Sequence, residues 1–278
     1  MRRIAAITMV RDDDFFLQKW VDYYGKEIGF ENLFVFFDGL DQKIPSFCDE
    51  IYTEKVEKIG NTVISSDKGR SRFISEKAKN LLKSGYQMVI GTDADEYLVV
   101  DPEEGKNLNQ FLLNLADKPC ISGLGLDFGQ KSSENKSLSL DKPFLKQRHY
   151  AQISSRYTKT SVLTKPLVWG SGFHRVKGHN YHIIPNLYLM HFGYSDLKII
   201  QSRINNIDRV IQGWLKHIVR RSKTIKYVNS KKIYAFEKAV KIARIFETIL
   251  RPPFAWNKPA LLWQKIIIKI PERFETLL

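Results

Sequence analysis

The chain of 278 residues has only two cysteines, Cys48 and Cys120. That excludes a disulfide framework and fits a reducing compartment such as a cytoplasm. No stretch approaches 18 uninterrupted apolar residues, so no transmembrane helix is expected. The opening "MRRIAAITMVRDDDFF" is basic and then apolar. Acids end the apolar run too soon for a secretion signal, and we read it as a first strand. Internal repeats are lacking. Acidic residues are scarce as well: 30 Asp and Glu face 44 Lys and Arg, a formal net charge of +14. The shortage is local. From residue 201 onward, 17 Lys and Arg stand against 5 Asp and Glu, so the first 200 residues are nearly neutral. A basic segment of this kind attracts anionic lipid, nucleic acid or a polyanionic substrate. No nucleic-acid motif accompanies it, which argues against that partner.

What is present is the profile of a folded domain, 43% hydrophobic and 27% charged. Residues 3–10, "RIAAITMV", read as a buried strand. In the following segment Phe15, Phe16, Trp20, Tyr23, Tyr24 and Ile28 recur at helical spacing, with Asp12 or Asp13 as cap and Gly29 as stop. Residues 32–39 form a second apolar strand, 71–85 an amphipathic helix, and "YQMVIGTD" a third strand. Alternating apolar strands and helices predict a parallel sheet covered by helices. A further strand runs through residues 118–130 and ends near Asp127. From about Ser195 the pattern turns helical.

Polar groups gather at three strand ends: Arg11 to Asp14, Asp38 with Asp41, and Asp93 to Glu96. In such sheets ligands sit beyond the carboxyl ends of the strands. Asp93 and Asp95, one residue apart, can there bind a hard divalent cation that neutralises a diphosphate. A solvated acidic loop is the plainer alternative. The apolar strand before the acids, and the acids at neighbouring strand ends, favour the metal.

Two segments carry a resemblance. "MVRDDDFFLQKWVDYYGKEIGFENLFVFFDGLDQ" and "GYQMVIGTDADEYLVV" resemble a family 2-like glycosyltransferase of the GT-A fold. They particularly resemble a bacterial group with an E-x-x-x-L-x-x-W-x-x-Y-H helix and a D-x-D-E-[FY]-L signature. Here the helix supplies Leu17, Trp20 and Tyr23-Tyr24, and the signature reads Asp93-Ala94-Asp95-Glu96-Tyr97-Leu98. Where that group has Asn-Glu after the first strand, this chain has Arg11-Asp12. The resemblance implies an α/β GT-A domain over residues 1–195, a mostly parallel sheet flanked by helices. A helical, basic C-terminal region follows over 196–278. It implies an enzyme moving a sugar from a nucleotide-sugar donor to a glycan or lipid-linked acceptor in bacterial surface polysaccharide synthesis. Asp38 would meet the base or ribose, Asp93 the ribose and metal, and Asp95 would ligate Mn²⁺ or Mg²⁺. His191, in "LYLMHFGYSDLK", would complete the metal site, with His174 as second choice.

An inverting transfer needs a carboxylate to take the acceptor proton. Asp127 is the candidate base and Glu96 the alternative. Arg11, and Arg70 or Arg72 before the third strand, could meet phosphate or ribose. The tail mixes lysine with Trp214, Trp256 and Trp263, the composition of a surface lying on an anionic membrane, here the inner face. A packed helical cap or a homo-oligomer contact would serve the same composition. A nucleotidyltransferase is the rival enzyme, but "MVRDDDFF" lacks the glycine-rich loop that it would carry. A non-enzymatic basic scaffold is the other rival.

Overall fold

The computed structural model describes residues 3–211, 213–261 and 265–278. Its first half is β1 (Ile4–Val10), α1 (Asp14–Ile28), β2 (Leu33–Asp38), β3 (Tyr52–Val56), α2 (Val63–Lys83) and β4 (Met88–Gly91). β1 lies parallel to both β2 and β4, and β2 parallel to β3. Alternate residues of β1 face two cores. Ile4, Ala6 and Val10 meet Phe16, Trp20 and Tyr24 of α1, while Ala5, Ile7 and Met9 meet Ile74 and Ala78 of α2. That two-sided burial is why β1 reads as an unbroken apolar run. α2 starts well before the expected residue 71, because Thr62 and Ser65 cap it reciprocally.

The second half adds β5 (Glu96–Val100), α3 (Leu108–Leu113), β6 (Cys120–Phe128), β7 (Tyr150–Ile153), β8 (Thr160–Leu163) and β9 (Ile183–His191). β8 joins β4 antiparallel, and β6 joins β8 and β7 antiparallel. β9 runs parallel to β6 and antiparallel to β5. The result is an α/β fold with a mixed sheet flanked by helices, parallel through β4-β1-β2-β3.

The C-terminal region comprises α4 (Leu197–Asn205), α5 (Ile207–Ile211), α6 (Leu215–Arg221), α7 (Lys223–Ser230), β10 (Ile233–Tyr234), α8 (Phe236–Ile249) and β11 (Ile267–Lys269). The helices were expected; the strands were not. β11 pairs with β7 and β10 with β11, so the region finishes one edge of the sheet, in the order β10-β11-β7-β6-β8-β4-β1-β2-β3. Phe274 and Leu278 sit in the main core. Strands of two and three residues have too little periodicity to be read from sequence.

Buried polar ties fasten this region. Arg148, 1% exposed, donates to Asp196 Oδ2 at 2.6 Å and to the Ser195 carbonyl at 2.7 Å. Asp196 in turn accepts from the Lys198 and Ile199 amides and caps α4. On α8, Glu247 is fully buried, accepts from the Thr158 hydroxyl and leaves Oε1 without a partner. Burial pushes its carboxyl up to about 8, although the Thr158 hydrogen bond opposes this.

The sign of the resulting pH dependence follows from that rise. A carboxyl raised from its usual 4.5 to about 8 favours the fold below pH 4.5, and the advantage is gone once pH passes about 8. Glu247→Gln should therefore leave stability near pH 5 almost unchanged and raise it at pH 8.5, by about 3–5 kcal/mol for a shift of this size. Urea unfolding at the two pH values measures the difference. Equal stabilities of mutant and parent at pH 8.5 would contradict it.

Candidate functional site

The carboxyl ends of β1, β2 and β4 open on a cleft lined by Arg11, Asp38, Asp93, Asp95, His174 and His191, among others. Asp93 and Asp95 lie in the turn between β4 and β5, and the aromatic stripe of α1 holds that turn. Trp20 Nε1 donates to Thr92 Oγ1 at 2.9 Å, Tyr23 OH donates to the Leu98 carbonyl at 2.8 Å, and Tyr24 OH accepts from the Leu98 amide at 2.8 Å. Strand register supplies the other side. Glu96 stands opposite His191 across β5 and β9, and His191 opposite Asp127 across β9 and β6. Three adjacent strand ends thus put acid, imidazole and acid in one row.

His191 is 3% exposed and stacks on Tyr157, with centroids 3.9 Å apart and planes at 17°. Its Nδ1 is 2.7 Å from Asp127 Oδ1, and its Nε2 faces Asp95 Oδ2 at 3.7 Å. The two ring nitrogens thus face two different carboxylates, Nδ1 toward Asp127 and Nε2 toward Asp95. Gly193 keeps that space open. A Cβ there would stand 2.0 Å from Asp95 Oδ2 and 2.9 Å from His191 Nε2.

Asp127 does not stand as the expected acceptor base. It is 5% exposed, and both oxygens are taken, one by His191 and the other by the Thr224 hydroxyl. It stands opposite His191 across β6 and β9, with its Oδ1 on the imidazole. Glu96, the alternative base, is 1% exposed and pairs with Lys159 Nζ at 2.6 Å. Burial raises its carboxyl to about 7 against the pull of Lys159.

Lys159 also reaches Asp93 Oδ2 at 3.1 Å. Burial works against the ammonium, but Glu96 and Asp93 outweigh it and hold the lysine charged. Burial likewise works against the Asp93 charge, yet Lys159 and Arg70 bring its carboxyl down to about 2. Asp93 thus meets Lys159 through Oδ2 and lines the same cleft as Asp95. Arg203 serves Asp95 in the same way, at 3.3 Å, and reaches Asp13 at 2.7 Å. Asp13 precedes α1 but makes no side-chain cap, its carboxylate being turned to Arg203.

Among the described residues no group of three or more His, Cys, Asp and Glu is arranged to hold a metal ion. Asp38 lines the cleft as expected, 7% exposed, with Oδ1 accepting from the Ile59 amide at 2.7 Å. Arg11 lines the cleft as well. Its guanidinium grips Asp41 through two hydrogen bonds and the Asp38 carbonyl through a third, tying together the ends of β1 and β2. Gly39, at φ 133°, is required beneath it, since a Cβ would meet Arg11 Nη1 at 2.1 Å. Arg72 is exposed and outside the cleft, whereas Arg70 lines it and bonds the Met9 carbonyl. Two helical residues correspond to about 200° of rotation, so only one of the two arginines can face the sheet. His174 lines the cleft as a neutral imidazole, its protonation depressed to about 3 by burial and then by Lys159 and Arg221.

Sequence reasoning missed Lys159, Arg203, Tyr157 and Arg221. The one available signal was a lysine directly before the apolar "TSVL", since a buried ammonium requires acids around it.

No protein-family model and no curated protein matches the chain. Among solved structures it is similar to mannose-1-phosphate geranyltransferase from Thermus thermophilus. Identity is 9% and the TM-score 0.31, over 96% of this chain and 74% of that one. A likeness at that score says nothing of function.

Removing Lys159 should be costly, because two acids would lose their buried counter-charge. Lys159→Met is expected to destabilise the protein by about 3–5 kcal/mol, and adding Glu96→Gln should restore part of the loss. Urea midpoints of the single and double mutants test the coupling. A single mutant as stable as the parent would show that the pairing does not hold the acidic turn.

Proposed function

We propose that the protein is a divalent-cation-dependent glycosyltransferase that takes a sugar from a nucleotide-sugar donor. The observation that carries this reading is the open pair of ligands, Asp95 Oδ2 and His191 Nε2 at 3.7 Å, across the space that Gly193 leaves clear. The pair fits a hard divalent cation that takes its remaining positions from phosphate oxygens and water. It does not fit a closed structural site, which needs more protein ligands. Bound there, Mn²⁺ or Mg²⁺ would offset the charge that builds on a departing nucleoside diphosphate.

The chain's own groups do the rest. Asp127 fixes the imidazole ring and its tautomer, and so keeps Nε2 available as a ligand. Arg203 holds Asp95 in place and offsets part of its charge. Lys159 and Arg70 bring positive charge to the same cleft, where diphosphate oxygens would lie. Asp38, at the end of β2 on the same opening, is placed for the ribose or base. The acceptor is a glycan or a lipid-linked glycan.

A lipid-linked acceptor fits the surface of the C-terminal region. Ile242, Ile245, Phe246 and Ile249 are exposed on α8 beside Lys238 and Lys241, and Phe254 and Trp256 are exposed after it. Of the other tryptophans singled out in the sequence, Trp214 lines the cleft and Trp263 lies outside the described residues. An exposed apolar ridge with lysines beside it suits the face of an anionic bilayer. Among the described residues no helix is long and apolar enough to cross one.

Two measurements test these readings. Asp95→Ala and His191→Ala should each weaken Mn²⁺-dependent binding of a nucleoside diphosphate at least tenfold in calorimetric titration, while the melting curve stays cooperative. Unchanged affinity in both would sink the cation assignment. For the surface, the full chain should co-sediment with phosphatidylglycerol vesicles, less so as salt rises, and Phe246→Ser with Ile249→Ser should cut that binding severalfold. Equal partitioning of mutant and parent would reject the membrane face. Truncation is the poorer test, since β10 and β11 would leave the sheet with it.

A further inference from the structure

A second pocket borders the His191–Asp127 pair. It is lined by Arg156, Arg220, Arg221, Lys223 and Lys265, together with Asp127 itself. Arg221 also lines the main cleft, but Asp38, Asp93 and Asp95 take no part in the second pocket. Five cations therefore surround one hollow. Its one carboxylate, Asp127, is already committed to His191 and Thr224. Among the described residues none of the five cations makes an ion pair.

The arrangement is unfavourable by itself. Burial, then Arg221 and Arg220, bring the Arg156 guanidinium down to about 10. Burial, then Arg156, lower the Lys265 ammonium. Arg221 gives its Nε–H to His217 Nε2 at 3.2 Å and lies over the Tyr157 ring, 5.6 Å from its centroid. Its Nη1 is buried with no hydrogen-bond partner. Like charges held together, with a buried donor left over, call for an anion carrying more than one negative charge. Forked guanidinium donors take phosphate oxygens in pairs, and a phosphate or diphosphate brings the multiple charge that several cations require.

We propose that this pocket binds a phosphate or diphosphate group carried by the acceptor, with Arg156 and Lys265 as its main contacts and Arg221 shared with the donor cleft. That the anion belongs to the acceptor rests on the sugar-transfer reading; that the pocket binds it does not. The same group could arrive on a lipid or on a soluble molecule, and the chemistry of recognition is shared.

The test uses the full chain without nucleotide or metal. Inorganic pyrophosphate is titrated into the parent, the Arg156→Gln/Lys265→Gln double mutant and Lys106→Gln, an exposed lysine outside both pockets. The double mutant should bind at least tenfold more weakly, and Lys106→Gln within twofold of the parent. Should the double mutant fail to fold, Lys223→Glu, at an exposed position, should also weaken binding. In a second arm, vesicles containing phosphatidic acid are compared with phosphatidylglycerol vesicles of equal charge. A loss confined to phosphatidic acid in the mutant supports a lipid-borne group, and a loss confined to pyrophosphate supports a soluble one. Parent-like binding of both probes by the mutants, or no binding by the parent, overturns the proposal. Mn²⁺-dependent nucleotide binding is read separately, so its absence would strike the donor reading while leaving the pocket standing.

Discussion

The register of β9 between β5 and β6 is the constraint on which the site depends. His191 is opposite Glu96 on one side and Asp127 on the other. A slip of one residue in either pairing would turn the imidazole to the opposite face of the sheet. The Asp127 contact, the stacking on Tyr157 and the approach to Asp95 would be lost together. The register is secured by apolar residues along β9, with Leu187, Leu189 and Met190 fully buried. Hydrophobic packing thus sets polar geometry many residues away.

The acidic turn has a second anchor in α1. Trp20, Tyr23 and Tyr24 form an apolar stripe, yet each spends its polar atom on the segment from Thr92 to Leu98. In this chain the aromatic helix and the acidic turn are therefore one structural unit. The helix is the clamp, and the turn is what it clamps. Buried Tyr and Trp need partners for their polar atoms, and the backbone around the acids provides them.

β1, β2 and β4 were legible because burial on both faces leaves continuous apolar runs. β3 was not, since no residue of this edge strand is fully buried and its sequence, "YTEKV", shows no apolar run. Asp38, Asp95 and His191 were legible as cleft residues from their places at strand ends. Asp127 was legible in place, but its burial and the engagement of both its oxygens by His191 and Thr224 were not, because neither partner is near it in sequence. Lys159 and Arg203 were invisible for a different reason. Their acids lie 66 and 108 residues away, and no local pattern records a pairing over that distance. The tail's net charge was plain from counting, but its return to the sheet was not.

The short segment "RYTK", residues 156–159, enters the fold in four directions at once. Arg156 faces the cationic pocket, Tyr157 stacks on His191, Thr158 meets Glu247 of α8, and Lys159 meets Glu96 and Asp93. Each partner belongs to a different part of the chain. The spacing of this segment is therefore fixed more tightly than its chemistry. A conservative exchange at one position disturbs one contact, whereas inserting or deleting a single residue would misassign all four. Natural variants of this protein should accordingly keep the length of the connection between β7 and β8 constant even where its residues change.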